Sequence, residues 1–253
     1  MSSIPPHPVR DRPTSFYWSG DVMRSRSVSE VVLSGALDVA APSARLMADW
    51  QRDASGHLCL EPGDVEALSL PRARSRWPDY RHCVQAVVDW TGSLGLQEVL
   101  ASCDVALMAS RGAKYHHDAE HYGGMAFCNL FLSEDSGLDL HFPCTGHRIP
   151  LVRGTAVIFD TGQPHAVIKR DGSGFRVADF LPEQGCTQIF LTWELPIENS
   201  HVARALQIDF DVDPFTSLLL DSEQVWLNGA RTGVCPEFGA WRKADDLTAQ
   251  ALP

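Results

Sequence analysis

Two patterns of apolar and polar positions divide this chain near residue 103. Upstream, apolar residues recur at helical spacing. Leu46, Met47 and Trp50 predict a helix over 42–53, with Pro42 suited to its first turn, and Tyr80, Val84, Val87 and Val88 predict another over 78–92. A shorter helix is expected over 94–102, and the stretch 29–40, with its Glu-Val-Val-Leu-Ser-Gly-Ala-Leu run, reads as a strand and turn. Downstream the period changes. Short runs rich in β-forming residues alternate with turn residues, giving candidate strands at 105–110, 115–118, 125–133, 138–142, 148–151, 155–160, 166–170, 175–181 and 187–195. Asp135-Ser136-Gly137, Thr145-Gly146, Arg153-Gly154, Thr161-Gly162 and Asp171-Gly172-Ser173-Gly174 punctuate them. Short strands in hairpin spacing predict a mainly β (α+β) fold, a double-stranded jelly-roll barrel of cupin-like type spanning about 103–195. The helices before it should pack on one sheet. Residues 1–14, with Pro5, Pro6, Pro8 and Pro13, read as an extended or flexible arm, and 15–253 as one domain. The tail from 201 is less patterned, with strands expected at 205–212 and 224–227 and a turn at Asn228-Gly229.

Composition narrows the classes of function. The 253 residues are 44% apolar and 21% charged, enough to build a sizeable core. The formal net charge of −11, with no dense basic run, argues against a nucleic-acid or anionic-membrane partner. Seven cysteines are scattered without a C-x-x-C pair, which fits neither a disulfide framework nor a zinc knuckle. With no apolar leader and no long apolar run, the expectation is a soluble cytoplasmic protein without a membrane partner. Oligomeric state leaves no trace in the pattern.

Candidate chemistry concentrates in Lys114-Tyr-His-His-Asp-Ala-Glu-His-Tyr122. Side chains at i and i+2 of a strand share a face, so His116 and Asp118 should point together into the barrel mouth with His117 turned outward. His165, at the start of a predicted strand, offers a third ligand. Two imidazoles and one carboxylate on one face of an octahedral metal form the facial triad of non-haem Fe(II) oxygenases. Arg176 follows His165 by 11 positions, past the Asp-Gly-Ser-Gly turn. If 166–170 and 175–181 pair as a hairpin, Arg176 returns toward the metal and can grip a carboxylate bidentately. Lys169 and Arg170 are second choices for that grip.

On His116, Asp118, His165 and Arg176 the sequence resembles the Fe(II)/2-oxoglutarate-dependent dioxygenases. Tyr115 before the first ligand, the Gly154-to-Phe159 strand and Pro164 before His165 add to the likeness. It covers roughly 105–195. The resemblance implies metal ligation by His116, Asp118 and His165, and 2-oxoglutarate held at its far carboxylate by Arg176, with Tyr115 as a further hydrogen-bond donor. It implies O2 as oxidant, release of succinate and CO2, and ascorbate as an activator. The expected reaction is hydroxylation of a C–H bond in a small molecule, an amino acid or natural-product intermediate. Asp118, retained where related halogenases carry a small residue, favours hydroxylation over halogenation.

Other readings remain open at this level. His117 and His121 stand at i, i+4 as in helical zinc sites, but Asp follows His117 and Gly123-Gly124 would end such a helix early. His141 and His147 read as loop residues on the barrel rim, and Tyr122 and Trp193 as packing residues. A cupin-like metal-binding sensor or a protein hydroxylase could carry the same triad. No phosphate-binding loop, dinucleotide fingerprint or G-x-S-x-G elbow is present.

Overall fold

The computed structural model describes residues 12–181 and 184–246. Most of the arm expected at 1–14 lies outside these residues, although Thr14 already belongs to a strand. The first elements are β1 (Thr14–Ser19), β2 (Val22–Ser27) and β3 (Val32–Ala36). The helical layer follows: α1 (Ala44–Arg52), a π-turn (Asp53–His57), the edge strand β4 (Val65–Leu68), α2 (Leu70–Arg74), α3 (Tyr80–Ser93) and α4 (Gln97–Ala101). Ser43 caps α1, its hydroxyl accepting from the Leu46 N–H at 3.3 Å. Leu46 and Trp50 of α1, and Tyr80, Cys83 and Val87 of α3, are the buried residues of their amphipathic faces.

The barrel strands run in chain order as β5 (Val105–Ser110), β6 (Ala113–His116), β7 (Met125–Phe131), β8 (Leu138–Phe142), β9 (His147–Pro150), β10 (Thr155–Asp160), β11 (His165–Lys169) and β12 (Gln188–Pro196), with α5 (Ala119–Tyr122) between β6 and β7. One sheet has the order β3-β10-β7-β12-β5-β4 and the facing sheet β6-β11-β8-β9. Thus β5, β12, β7 and β10 lie in one sheet and β6, β11, β8 and β9 in the other, all antiparallel where they pair. Successive strands mostly alternate between sheets, the winding that defines a jelly roll. The expected fold class is observed.

The two faces of the larger sheet bury different cores. Outside, Leu107, Leu130, Ile158, Leu191 and Trp193 pack under Trp50, Trp77 and Val87 of the helical layer. Inside, Phe131, Leu140, Phe159, Val167 and Phe190 meet between the sheets. Period-2 alternation assigns each strand residue to one of these cores.

After β12 come α6 (Ser200–Leu206), α7 (Pro214–Ser217), β13 (Gln224–Leu227), β14 (Ala230–Val234) and β15 (Trp241–Lys243). A further sheet, β15-β14-β13-β1-β2, joins both ends of the chain. Among the described residues, no helix is long and apolar enough to cross a membrane.

Two expectations are corrected. The segment expected as a strand at 175–181 carries a 3-10 turn over Val177–Phe180. Its Phe180 is fully buried in the inner core, over Gly112, where a Cβ would lie 2.7 Å from the Phe180 ring. The strand expected at 205–212 is instead the end of α6 and a coil, because Val202 and Leu206 bury at i, i+4.

Candidate metal centre

The centre is assembled by a bulge, a turn and a buried ion pair. β6 and β11 pair with His116 opposite His165 and Ala113 opposite Val167. Two residues of β6 therefore stand against one of β11, a bulge that lets both Ala113 and His116 face inward. Tyr115 takes the opposite face. Asp118 follows as the N-cap residue of α5, its backbone N–H donating to the Thr161 carbonyl at 2.8 Å. The threonine hydroxyl donates to the carbonyls of Tyr122 and Met125 at 2.7 and 2.8 Å. The turn that leads into His165 thus also holds the segment bearing Asp118.

That turn is anchored by Arg26 and Asp160, both fully buried. Two guanidinium nitrogens donate to the two Asp160 oxygens at 2.7 Å each, and Nε donates to the Gly123 carbonyl at 2.8 Å. The backbone N–H groups of Ser29 and Gly162 donate to the same carboxylate at 2.7 and 2.8 Å. Each charge has a partner and further hydrogen bonds, the condition under which a buried pair is tolerated. Sequence reasoning missed Arg26, Asp160 and Thr161. The available signal was an Asp directly before a Thr-Gly turn, while Arg26 sits in a strand whose buried positions, apart from Met23, are polar and break the hydrophobic alternation.

The three expected ligands converge. The Nε2 atoms of His116 and His165 each lie 3.5 Å from a different oxygen of Asp118. One donor atom from each residue falls within 4.8 Å of the others, the one such group of His, Cys, Asp and Glu among the described residues. Each imidazole has its Nδ1 against a backbone carbonyl, His116 at 2.7 Å from Lys114 O and His165 at 3.0 Å from Gln163 O. With Nδ1–H donating there, both rings present Nε2 as the free lone pair. Burial, with His116 nearby, lowers the His165 pKa to about 4, so its ring is neutral and ready to ligate at neutral pH.

Behind the triad lies a cavity of about 360 Å³ open to solvent, walled largely by apolar side chains that include Phe127, Phe159, Phe190 and Met108. Its polar lining, besides the triad, includes Ser110, Asn129, Thr192 and Glu194, and no lysine or arginine among the described residues lines it.

The remaining expected site residues go elsewhere. Arg176 does not line the cavity. Its side chain is 67% exposed and pairs with Asp179 at 3.3 Å. The hairpin that would have returned it to the metal is replaced by the turn that buries Phe180. Tyr115 does not line the cavity either. It faces away from the cavity, its hydroxyl 2.6 Å from His141 Nδ1, and its ring packs against the Cys235–Ala240 turn at Gly239. Lys169 reaches Cys186 at 3.1 Å, and Arg170 binds Asp135 and Asp139, so neither second choice lines the cavity. His117 points outward, beside Trp241.

No family model matches the chain, and no curated protein sequence matches it. Solved structures show partial likeness. A prolyl-4-hydroxylase of Pseudomonas putida is 17% identical at a TM-score of 0.39, over 67% of this chain and 93% of that one. A viral collagen prolyl hydroxylase from Paramecium Bursaria Chlorella virus-1, in a 2OG complex, is 10% identical at 0.37, over 64% and 94%. The non-heme alpha ketoglutarate dependent epimerase SnoN from nogalamycin biosynthesis is 13% identical at 0.34, over 65% and 78%. At these scores the chemistry of the centre has to follow from its own donors.

Proposed function

We propose that this chain is an iron(II)- and 2-oxoglutarate-dependent oxygenase that hydroxylates a C–H bond of a small molecule. The observation that carries the reading is the convergence of His116 Nε2, His165 Nε2 and Asp118 at the mouth of a largely apolar cavity. Two imidazoles and a carboxylate suit iron(II), which His116, Asp118 and His165 would hold. When bound, iron supplies activation of O2 coupled to oxidative decarboxylation of the 2-oxo acid to succinate and CO2.

The chain's own part is orientation and exclusion of water. His116 and His165 are held by backbone carbonyls and Asp118 by the Thr161 turn. The apolar walls keep competing water from the oxidation. The cavity has the size of a small-molecule site. For a second carboxylate the cavity offers the hydroxyls of Ser110 and Thr192 and, among the described residues, no lysine or arginine. A second reading, a metal-binding barrel without this co-substrate, draws support from the outward position of Arg176.

Succinate formation from 2-oxoglutarate under air, after anaerobic loading with Fe(II), decides between them. The expected result is slow turnover, accelerated by ascorbate, that drops at least about 100-fold in Asp118→Ala, since losing a ligand costs more than losing its supporting hydrogen bond. No turnover, together with no iron-dependent 2-oxoglutarate binding by calorimetry, would overturn the oxygenase reading in favour of the second.

A further inference from the structure

The wall of the cavity on β7 and β12 carries hydrogen-bond acceptors that no described residue satisfies. Asn129 and Thr192 are directly opposed across these strands, and Glu194 lies two positions on, opposite Phe127. All four line the cavity. Asn129 is 7% exposed, and its Oδ1 is buried without a hydrogen-bond partner. An unsatisfied buried acceptor of this kind costs roughly 1–3 kcal/mol unless a ligand donates to it. Glu194, at the exposed rim, makes no ion pair with any described residue. Asn129 and Glu194 are diagonal neighbours on adjacent antiparallel strands, a spacing of about 7–8 Å between backbones that two converging side chains can bridge.

Charge points the same way. Among the described residues, the carboxylates lining the cavity are Asp118 and Glu194, and no lysine or arginine lines it with them. A divalent metal would answer Asp118, which leaves Glu194 without a counter-charge, and an incoming dianionic co-substrate would add to the deficit. An ammonium group has three N–H donors and no acceptor, so one such group can serve Glu194 and Asn129 together.

We propose that the substrate is an apolar-bodied amine whose ammonium group sits between Glu194 and the Asn129 carbonyl. The word substrate rests on the oxygenase reading; the amine site itself does not. The rings between this wall and the metal define where the carbon skeleton lies. Phe127 stands across from Glu194, its ring 6.0 Å from that of Phe159, which is 4.8 Å from the His165 ring. An amine anchored at Glu194 lays its carbons along these aromatic faces toward the triad. Glu194 is thus a specificity-determining residue, and oxidation falls on a carbon of the apolar body remote from the nitrogen.

The test uses binding of three compounds of matched shape: 2-phenylethylamine, 2-phenylethanol and 3-phenylpropanoate. Dissociation constants are measured by ligand-observed NMR on the purified full chain, with Zn(II) in place of iron so that no turnover occurs. The amine should bind about tenfold more tightly than the acid, the scale of a partly desolvated ion pair, with the alcohol between them. Glu194→Gln should bring amine and acid within about twofold, and Glu194→Lys should invert the order. Asn129→Leu should weaken the amine and leave the acid unchanged. Equal binding of acid and amine by the wild type, or an amine preference that survives in Glu194→Gln, overturns the proposal. Iron-dependent succinate formation is measured separately. Its absence would remove the oxygenase reading while the charge preference stood, and loss of the preference would leave that turnover standing.

Discussion

The two sides of β11 were equally plausible from the sequence, yet they are built differently. The segment leading into it, from Asp160 to His165, is tied by hydrogen bonds from Arg26, Ser29, Gly162 and Asp118. The segment leaving it, from Arg170 toward β12, makes no comparable knot around Arg176, which lies mostly in solvent beside Asp179. Ligand geometry at a metal must be held within fractions of an ångström, so the metal-bearing side needs fixed backbone. The opposite segment is held before Arg176 by Arg148, which donates to the Arg170 and Gly172 carbonyls, and after it by the buried Phe180 stacked on Phe175, while the Arg176 side chain itself remains at the surface. A motif read by spacing alone treats both sides as equally rigid. The comparison shows that spacing is informative only where the backbone between the residues is regular.

The largest expected effect that would break this contrast is on the Arg26–Asp160 pair. Arg26→Met leaves Asp160 charged and buried without its partner, and should cost about 3–5 kcal/mol in urea denaturation. A loss below about 1 kcal/mol would mean that the turn does not depend on the pair. The next effect is one of pH. Folded His165 holds its pKa near 4, below the unfolded value of about 6.5, so between these values the unfolded chain binds a proton that the folded chain refuses. Stability of the metal-free protein should therefore fall as pH drops from about 6.5 to about 4 and level off below. His165→Gln should flatten that step, which is about 3 kcal/mol. A step unchanged in the variant would assign it to other groups.

Thr161→Val removes the hydroxyl that donates to two carbonyls and should cost roughly 1–2 kcal/mol. It should also weaken iron binding by about tenfold, since the same turn supports Asp118. Unchanged iron affinity by competition with a chelator would uncouple the turn from the ligand. The smallest effect sharpens the comparison from the other side. Arg176→Ala should change stability by no more than about 0.5 kcal/mol, the worth of an exposed ion pair, and 2-oxoglutarate affinity by less than about twofold. A loss of tenfold or more in that affinity would mean that Arg176 turns inward when the co-substrate is bound.

How much was legible follows from the kind of signal each element carries. β5, β8 and β10 have the bounds their alternation predicts, and the helices around Trp50 and Val87 lie where their apolar faces place them. His116 and His165 meet because the jelly roll sets β6 beside β11, whereas Asp118, expected at i+2 of the same strand, reaches them from the N-cap of α5 beyond the strand's end. The strands β1 and β2 were missed because their buried positions include Ser15, Ser25 and Arg26, which supply no hydrophobic alternation. β15 is a three-residue edge strand and β14 beside it is short, both made mainly of exposed or half-buried residues and equally silent to a pattern of burial.

The amino-acid sequence by itself determined the helix-then-strand order, the division into sheet faces and the three residues that gather at the metal centre, because local periodicity and short-range turns encode all of these. Only the tertiary structure decided that Arg176 stays outside, that Tyr115 faces away to hold the 235–240 turn, and that Asn129 and Glu194 share a cavity wall. Each of these depends on which distant segment fills a given space. Phe180 competes successfully for the barrel interior, and a bulge in β6 turns Tyr115 outward. Strand register brings positions 129 and 194 together. Those outcomes are set by packing between segments far apart in the chain, and no local pattern carries them.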